Sequence, residues 1–231
     1  MYDGAVQGCS EQWGADMPLG EWWDRLATAG WSFPKWPEGS GGRGMSTNDA
    51  REAERARVAV GAHGPPKGIA TFLVAPTLMA YGTPEQLDRF MPGIVRGTEV
   101  WCQLFSEPGA GSDLAGLATR AVLDGDEWIV NGQKVWISRV EYSDLMLLVA
   151  RTTPIEEVKK KTEGLTTMLV DLKHAIGNGM TVHPIRAMIN HATTEVFFDN
   201  LEVPVENRIG EEGKGFRYLL DGLNAERILI A

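Results

Sequence analysis

Hydrophobic spacing along this 231-residue chain is helical from residue 18 to about 98, strand-like from Glu99 to Val203, and helical again from Gly215 to Ala231. In the first stretch Trp22, Trp23, Leu26 and Ala27 recur at helical intervals, and Gly30 supplies a stop. A loop with Pro34, Pro37 and four glycines follows, then a charged, alanine-rich helix over Asp49 to Val60. Thr83-Pro84-Glu85-Gln86 predicts a capped helix start, with threonine at N-cap, proline at N1 and glutamine at N3. Leu87, Phe90 and Met91 continue it as one apolar face. The middle stretch consists of short apolar runs: Trp101–Phe105, Trp128–Val130, Val135–Ile137, Leu145–Ala150, Thr166–Val170 and Val196–Phe198. Turn signals separate them, sharpest at Asp124-Gly125 and Asn131-Gly132. Helices, then strands, then a helix make a segregated α+β chain, not an alternating βαβ one.

Composition narrows the function classes. Hydrophobic residues are 43% and charged residues 23%, the balance of a globular chain long enough to bury a core. A net charge of −9 argues against a nucleic-acid partner, which needs a concentrated basic face. Cys9 and Cys102 stand far apart, and His63, His174, His183 and His191 lack ligand spacing, so neither a disulfide framework nor a metal site is expected. The start carries no basic flank and apolar run, and Leu145–Ala150 is too short to span a bilayer. A cytoplasmic protein without a membrane span is the default expectation. The charge run Glu156 to Glu163 reads as a solvated loop and not as a binding surface.

Four segments invite a chemical reading. Gly39-Ser40-Gly41-Gly42-Arg43-Gly44 has the dinucleotide spacing, but Phe33-Pro34-Lys35-Trp36-Pro37 before it cannot be a central strand, so it reads as a flexible loop. Ser106-Glu107-Pro108-Gly109-Ala110-Gly111-Ser112-Asp113 follows a strand, and its small residues let backbone N–H groups approach a ligand. A plain surface turn explains it equally well. In Gly132-Gln133-Lys134-Val135-Trp136-Ile137-Ser138, strand geometry puts Trp136 and Ser138 on one face and Val135 and Ile137 on the other. That face suits a flat heteroaromatic ring, whereas a half-buried core tryptophan is the commoner case in isolation. In the last helix, Phe216, Leu219, Leu220 and Leu223 form an apolar stripe that Glu226 and Arg227 continue, with Asn224 at its edge. A carboxylate and a guanidinium there are either a buried structural pair or used chemically, and a desolvated glutamate has the raised pKa of a proton acceptor.

Together these segments resemble the acyl-CoA dehydrogenase family over nearly the whole chain. Trp101-Cys102-Gln103-Leu104-Phe105 leading into S-E-P-G-A-G-S-D is similar to its first signature, and Asn131 to Ser138 to its N-G-x-K-x-W-I-[ST]. Val196 to Pro204 resembles its V-F-F-D-x-V-x-V-P, and Gly213 to Phe216 with Leu223 to Arg227 resembles the entry to its C-terminal helices. The resemblance implies a helical N-terminal domain (residues 1–98), an antiparallel β-barrel middle domain (99–207) and the first helix of a C-terminal helical bundle (208–231).

It also implies FAD as cofactor, lined by Gln103, Phe105, Ser106, Gly111 and Ser112, with Trp136, Ile137 and Ser138 covering and bonding the ring system. Ser112, Asn224 and Arg227 are the implied acyl-CoA contacts, Asn224 standing where the family pattern has aspartate. The implied reaction is α,β-dehydrogenation of an acyl-CoA thioester, with α-proton removal by a carboxylate and hydride transfer to flavin N5. Glu226, in an [LF]-x-x-E-R context, is the candidate base. Electron-transfer flavoprotein is the implied electron acceptor, and a homo- or hetero-oligomer the implied assembly. Family members continue well beyond the position of Ala231, so the sequence reads as a fragment of a longer protein or a truncated product. The alternative is a non-catalytic truncated subunit that binds flavin or assembles only with a full-length partner.

Overall fold

A computed structural model describes residues 17–188 and 192–230, the side chains of residues 222 and 224–230 not being among those described. The chain divides into two compact units, Met1–Lys67 with Leu87–Thr98, and Gly68–Gln86 with Glu99–Ala231.

The first unit is helical. Helix α1 (Leu19–Thr28) ends where the sequence places its stop. Gly30 takes φ +71, which only glycine adopts cheaply, and there Trp31 N–H reaches Leu26 O and Gly30 N–H reaches Ala27 O. Trp22, Leu26 and Ala62 make a small core, and the Trp22 and Trp23 indoles donate to His63 O and Gly64 O, both at 2.9 Å. Helix α2 (Thr47–Ala59) starts two residues before the expected Asp49, because Ser46 caps it by accepting from Asp49 N–H. The glycine-rich segment 39–44 is a packed turn, more ordered than the flexible loop expected. A Cβ on Gly42 would lie 2.1 Å from Trp36 O, and Gly44 N–H donates to Trp36 O at 2.8 Å. Its glycines serve close backbone contact.

In the second unit a widened, π-type turn over Ala70–Val74 leads into α3 (Ala75–Tyr81). Pro76 lacks an N–H and crowds the carbonyl four residues back, which accounts for the altered register. Thr83 and Gln86 form the expected capping box at the start of α4 (Pro84–Arg96): Gln86 N–H reaches Thr83 Oγ1 at 3.2 Å, and Thr83 N–H reaches Gln86 Oε1 at 3.1 Å. The same glutamine amide donates to Glu206 O and Arg208 O.

The strands are β1 (Trp101–Leu104), β2 (Arg120–Asp124), β3 (Glu127–Ser138), β4 (Leu145–Arg151), β5 (Leu165–Asp171), β6 (Met180–Pro184), β7 (Thr193–Pro204) and β8 (Arg208–Ile209). Their order is β6-β7-β3-β2-β4-β5-β8, with β1 paired to β4. The β domain is therefore present, but its strand path is open and its sheet mixed, which narrows the expected antiparallel barrel. β4 is buried along its whole length and runs parallel to β1 and, through its last residue, to the first residue of β2. Parallel pairing suits a strand covered on both faces. Asp124-Gly125 makes the β2–β3 hairpin, as expected. Asn131-Gly132 does not turn. It is a bulge inside the 12-residue β3, because Gly132 crosses the β2 side so closely that a Cβ would lie 2.6 Å from Thr119 Oγ1. Trp128, Val130, Met146, Leu148, Met168 and Phe198 centre the core. The four-residue α5 (Leu172–Ala175) follows β5, and α6 (Gly215–Ile230) closes the chain. Tyr218 of α6 is buried and stacks on Tyr81 with ring centroids 3.9 Å apart, while Phe216, Leu220 and Leu223 are only half-buried. Among the described residues no helix is long and apolar enough to cross a membrane, and no group of side chains could hold a metal ion.

Candidate functional site

The second unit contains a cavity of about 750 Å³. One wall begins on β1, whose Cys102 and Leu104 point into the core while Gln103 is half-buried at the cavity. Gln103 Oε1 is buried and has no hydrogen-bond partner among the described residues. An unsatisfied acceptor of that kind costs free energy unless a ligand donates to it. Cys102 also reaches the cavity, but burial pushes its thiol up to about 12, so it stays protonated and unreactive.

After β1 the chain turns through a two-bond loop in which Glu107 and Ala110 exchange backbone hydrogen bonds at 2.9 and 3.0 Å. Ser106, Gly111 and Ser112 of this loop line the cavity. A Cβ built on Gly111 would meet open space.

The end of β3 forms the adjoining wall. Val135 and Ile137 are buried and Trp136 and Ser138 exposed, the alternation the sequence predicts. The Trp136 indole is 65% exposed, which removes the core-tryptophan alternative. Its backbone has φ +60, and Arg139 has φ +65. Both are costly for side chains with a Cβ, and the ladder to β7 shifts register here.

Two buried cations brace the surroundings of the cavity. Lys134, fully buried, donates to Phe105 O at 3.1 Å and to Glu107 Oε1 at 2.8 Å. The Glu107 carboxylate, 7% exposed, also accepts from Ala118 N–H at 2.6 Å and Thr119 N–H at 3.0 Å. Burial raises the Glu107 pKa, but the charge and hydrogen bond of Lys134, with Thr119 and Ala118, outweigh it and hold the group below the ordinary carboxylate range. Burial pushes Lys134 down to about 8 against the pull of Glu107. Val135 N–H to Ser106 O, at 2.9 Å, completes the join between the two motifs. The second cation, Arg151, donates to Ala115 O, Leu117 O, Lys161 O and Glu163 O, binding two loops together.

The cavity thus gathers all eight residues singled out for a cofactor: Gln103, Phe105, Ser106, Gly111, Ser112, Trp136, Ile137 and Ser138. Phe216, Leu220 and Leu223 of α6 line it as well, so the apolar stripe of that helix faces the same space. Asn224, Glu226 and Arg227 lie on α6, with their side chains outside the described ones. Sequence reasoning missed Ile69, Trp101, Asp113, Arg139, Lys161 and Thr162, which also line it. Asp113 ends the first motif and Arg139 directly follows the second, so both could have been included. Ile69 and Lys161 carry no local signal.

The sequence matches the acyl-CoA dehydrogenase N-terminal domain over residues 6–98 and the acyl-CoA dehydrogenase middle domain over residues 102–201. The chain belongs to the acyl-CoA dehydrogenase family. It is 43% identical over 211 residues to acyl-CoA dehydrogenase IpdE1 of Mycobacterium tuberculosis, a match covering 89% of this chain and 52% of that protein. It is 38% identical over 170 residues to the mitochondrial long-chain specific acyl-CoA dehydrogenase of Mus musculus, covering 73% of this chain and 39% of that one. The crystal structure of the ChsE4-ChsE5 complex from Mycobacterium tuberculosis superimposes with a TM-score of 0.71 and 34% identity, covering 97% of this chain and 57% of that one. The chain therefore spans about half the length or less of these two curated relatives.

Members of this family are FAD-dependent. The residues present fit that group chemically: a buried acceptor without a partner, hydroxyls at Ser106, Ser112 and Ser138, and an exposed indole held by a strained backbone all border one cavity.

Proposed function

We propose that this chain supplies the flavin- and thioester-binding wall of an acyl-CoA dehydrogenase. The observation that carries the reading is the meeting of the two motifs around one cavity that contains the unpartnered Gln103 Oε1. Bound FAD supplies the hydride acceptor for α,β-dehydrogenation of an acyl-CoA. In this reading Trp136 packs over the flat ring, Gln103 Oε1 accepts from a ring N–H, and the Ser106, Ser112 and Ser138 hydroxyls bond cofactor or thioester oxygens. Phe105 and Ile137 exclude water, and Gly111 lets backbone approach the ligand. Glu226 takes the α-proton, and Asn224 and Arg227 join Ser112 in holding the CoA portion.

Electron-transfer flavoprotein as acceptor, a cytoplasmic location and the division at residues 98 and 207 belong to the same proposal. So does an oligomer, which the two differently named chains of the ChsE4-ChsE5 complex favour as a hetero-assembly.

The visible spectrum of the purified chain tests this reading. A bound flavin band supports it, and a colourless chain that takes up flavin only with a second subunit supports the non-catalytic alternative. Glu226→Gln is expected to abolish exchange of the thioester α-proton with solvent while flavin stays bound. Exchange that persists moves the base elsewhere.

A further inference from the structure

The charge run Glu156 to Glu163 meets the cavity at one point. Lys161 and Thr162 line it, with Asp113 from the end of the first motif and Arg139 directly after the second. The charged side chains lining the cavity, among those described, are therefore two cations and one carboxylate, in a chain of net charge −9. The carboxylate is already engaged: Lys161 Nζ lies 2.7 Å from both oxygens of Asp113. Both side chains are more than half exposed, at 54% and 60%, and an ion pair in that setting is weak and exchanges partners readily.

The backbone under this pair is fixed. Buried Arg151 donates to Lys161 O and Glu163 O at 3.1 Å, and on the facing loop to Ala115 O at 2.8 Å and Leu117 O at 3.3 Å. Arg151 spends every one of these bonds on carbonyl oxygens. It acts as a brace between the loops carrying Asp113 and Lys161. Lys161 thus has an anchored base, a flexible four-carbon stem and a replaceable partner, which are the properties of a point-charge phosphate binder.

We propose that Lys161 binds a ligand phosphate at this cavity, with Asp113 holding the ammonium until the phosphate displaces it. The inference rests on the flavin and thioester reading above and adds a residue to it. The phosphate belongs either to the FAD diphosphate or to coenzyme A. Both offer the same chemistry at Lys161, since the FAD diphosphate as a whole, like the phosphates of coenzyme A taken together, carries more negative charge and more acceptor oxygens than the single carboxylate it replaces.

The test is binding of four probes to the full chain, to Lys161→Gln and to Asp113→Asn. Coenzyme A is paired with pantetheine, which lacks its phosphates, and FAD with riboflavin. Lys161→Gln is expected to weaken one phosphate-bearing probe by about fivefold, the upper range for an exposed ion pair, and to leave its phosphate-free counterpart unchanged. Asp113→Asn is expected to tighten the same probe, since it removes the competitor. A response to coenzyme A assigns Lys161 to the thioester, and a response to FAD assigns it to the cofactor. If the unsubstituted chain binds either probe and Lys161→Gln binds it equally well, the inference is overturned while the flavin reading stands. An equal loss of pantetheine or riboflavin affinity would mark a change of cavity shape and overturn it too. If the unsubstituted chain binds neither coenzyme A nor FAD, both readings fall together.

Discussion

In the helical unit every described residue with left-handed backbone is a glycine: Gly30, Gly41, Gly44, Gly61 and Gly97. In the β unit the same conformation is also taken by Trp136, Arg139 and Asn200. Two of these three line the cavity, and neither has the backbone freedom of glycine. The helical unit relieves strain where it arises, as the α1 stop at Gly30 illustrates. The β unit keeps strain at one turn and thereby presents an indole and a guanidinium to an open space. Strain of that kind persists only where surrounding contacts overdetermine it. Here those contacts are Lys134 with Glu107, buried behind the turn, and the Val135 to Ser106 bond beside it.

Removing the clamp breaks the contrast most strongly. Lys134→Met leaves Glu107 buried without its counter-charge and is expected to cost about 3–5 kcal/mol in urea unfolding. Glu107→Gln tests the same pair by pH. The folded pKa of Glu107 lies below its ordinary value of 4.5, so its stabilisation is complete above that value and lost as pH falls through the lowered one. The Glu107→Gln chain should therefore be less stable at neutral pH, and the gap should close below the ordinary value. A gap that persists unchanged to the acid limit would mean that the charge of Glu107 contributes little.

A smaller effect is expected at the relaxed turn. Gly30→Ala forces a Cβ into left-handed backbone, 3.0 Å from Gly42 O and from Arg43 Cγ, and should lower stability by about 1–2 kcal/mol. The smallest stability effect is expected at the strained turn. Trp136→Gly relieves backbone strain but frees the unfolded chain and loses some packing, so thermal unfolding should shift by less than about 1 kcal/mol. Flavin affinity should nevertheless fall clearly. Opposite behaviour at the two turns, stability lost at Gly30 and binding lost at Trp136, is what the comparison requires. A large stability loss in Trp136→Gly would make the indole a structural residue.

Much of this was legible locally. The α1 stop at Gly30 and the Thr83–Gln86 box are short-range hydrogen-bond patterns that their residues announce. The alternation of Trp136 and Ser138 with Val135 and Ile137 was expected from strand geometry and is kept, although Trp136 itself takes left-handed backbone at a register shift. Asn131-Gly132 misled, because the same dipeptide that favours a tight turn also permits a bulge, and the closeness of Thr119 decided between them. Glu156 to Glu163 is largely solvent-facing as read, Lys161 included, but Lys161 also borders the cavity, with its backbone held by Arg151.

The sequence by itself determined the order of helices and strands, the helix caps and the two motifs, because each depends on residues a few positions apart. Tertiary structure alone decided that β1 runs parallel to β4, that Lys134 finds Glu107 across 27 residues, and that Lys161 faces Asp113 across 48. Long-range partners are chosen by which buried donors and acceptors remain unsatisfied once the sheet has formed, and no local preference encodes that.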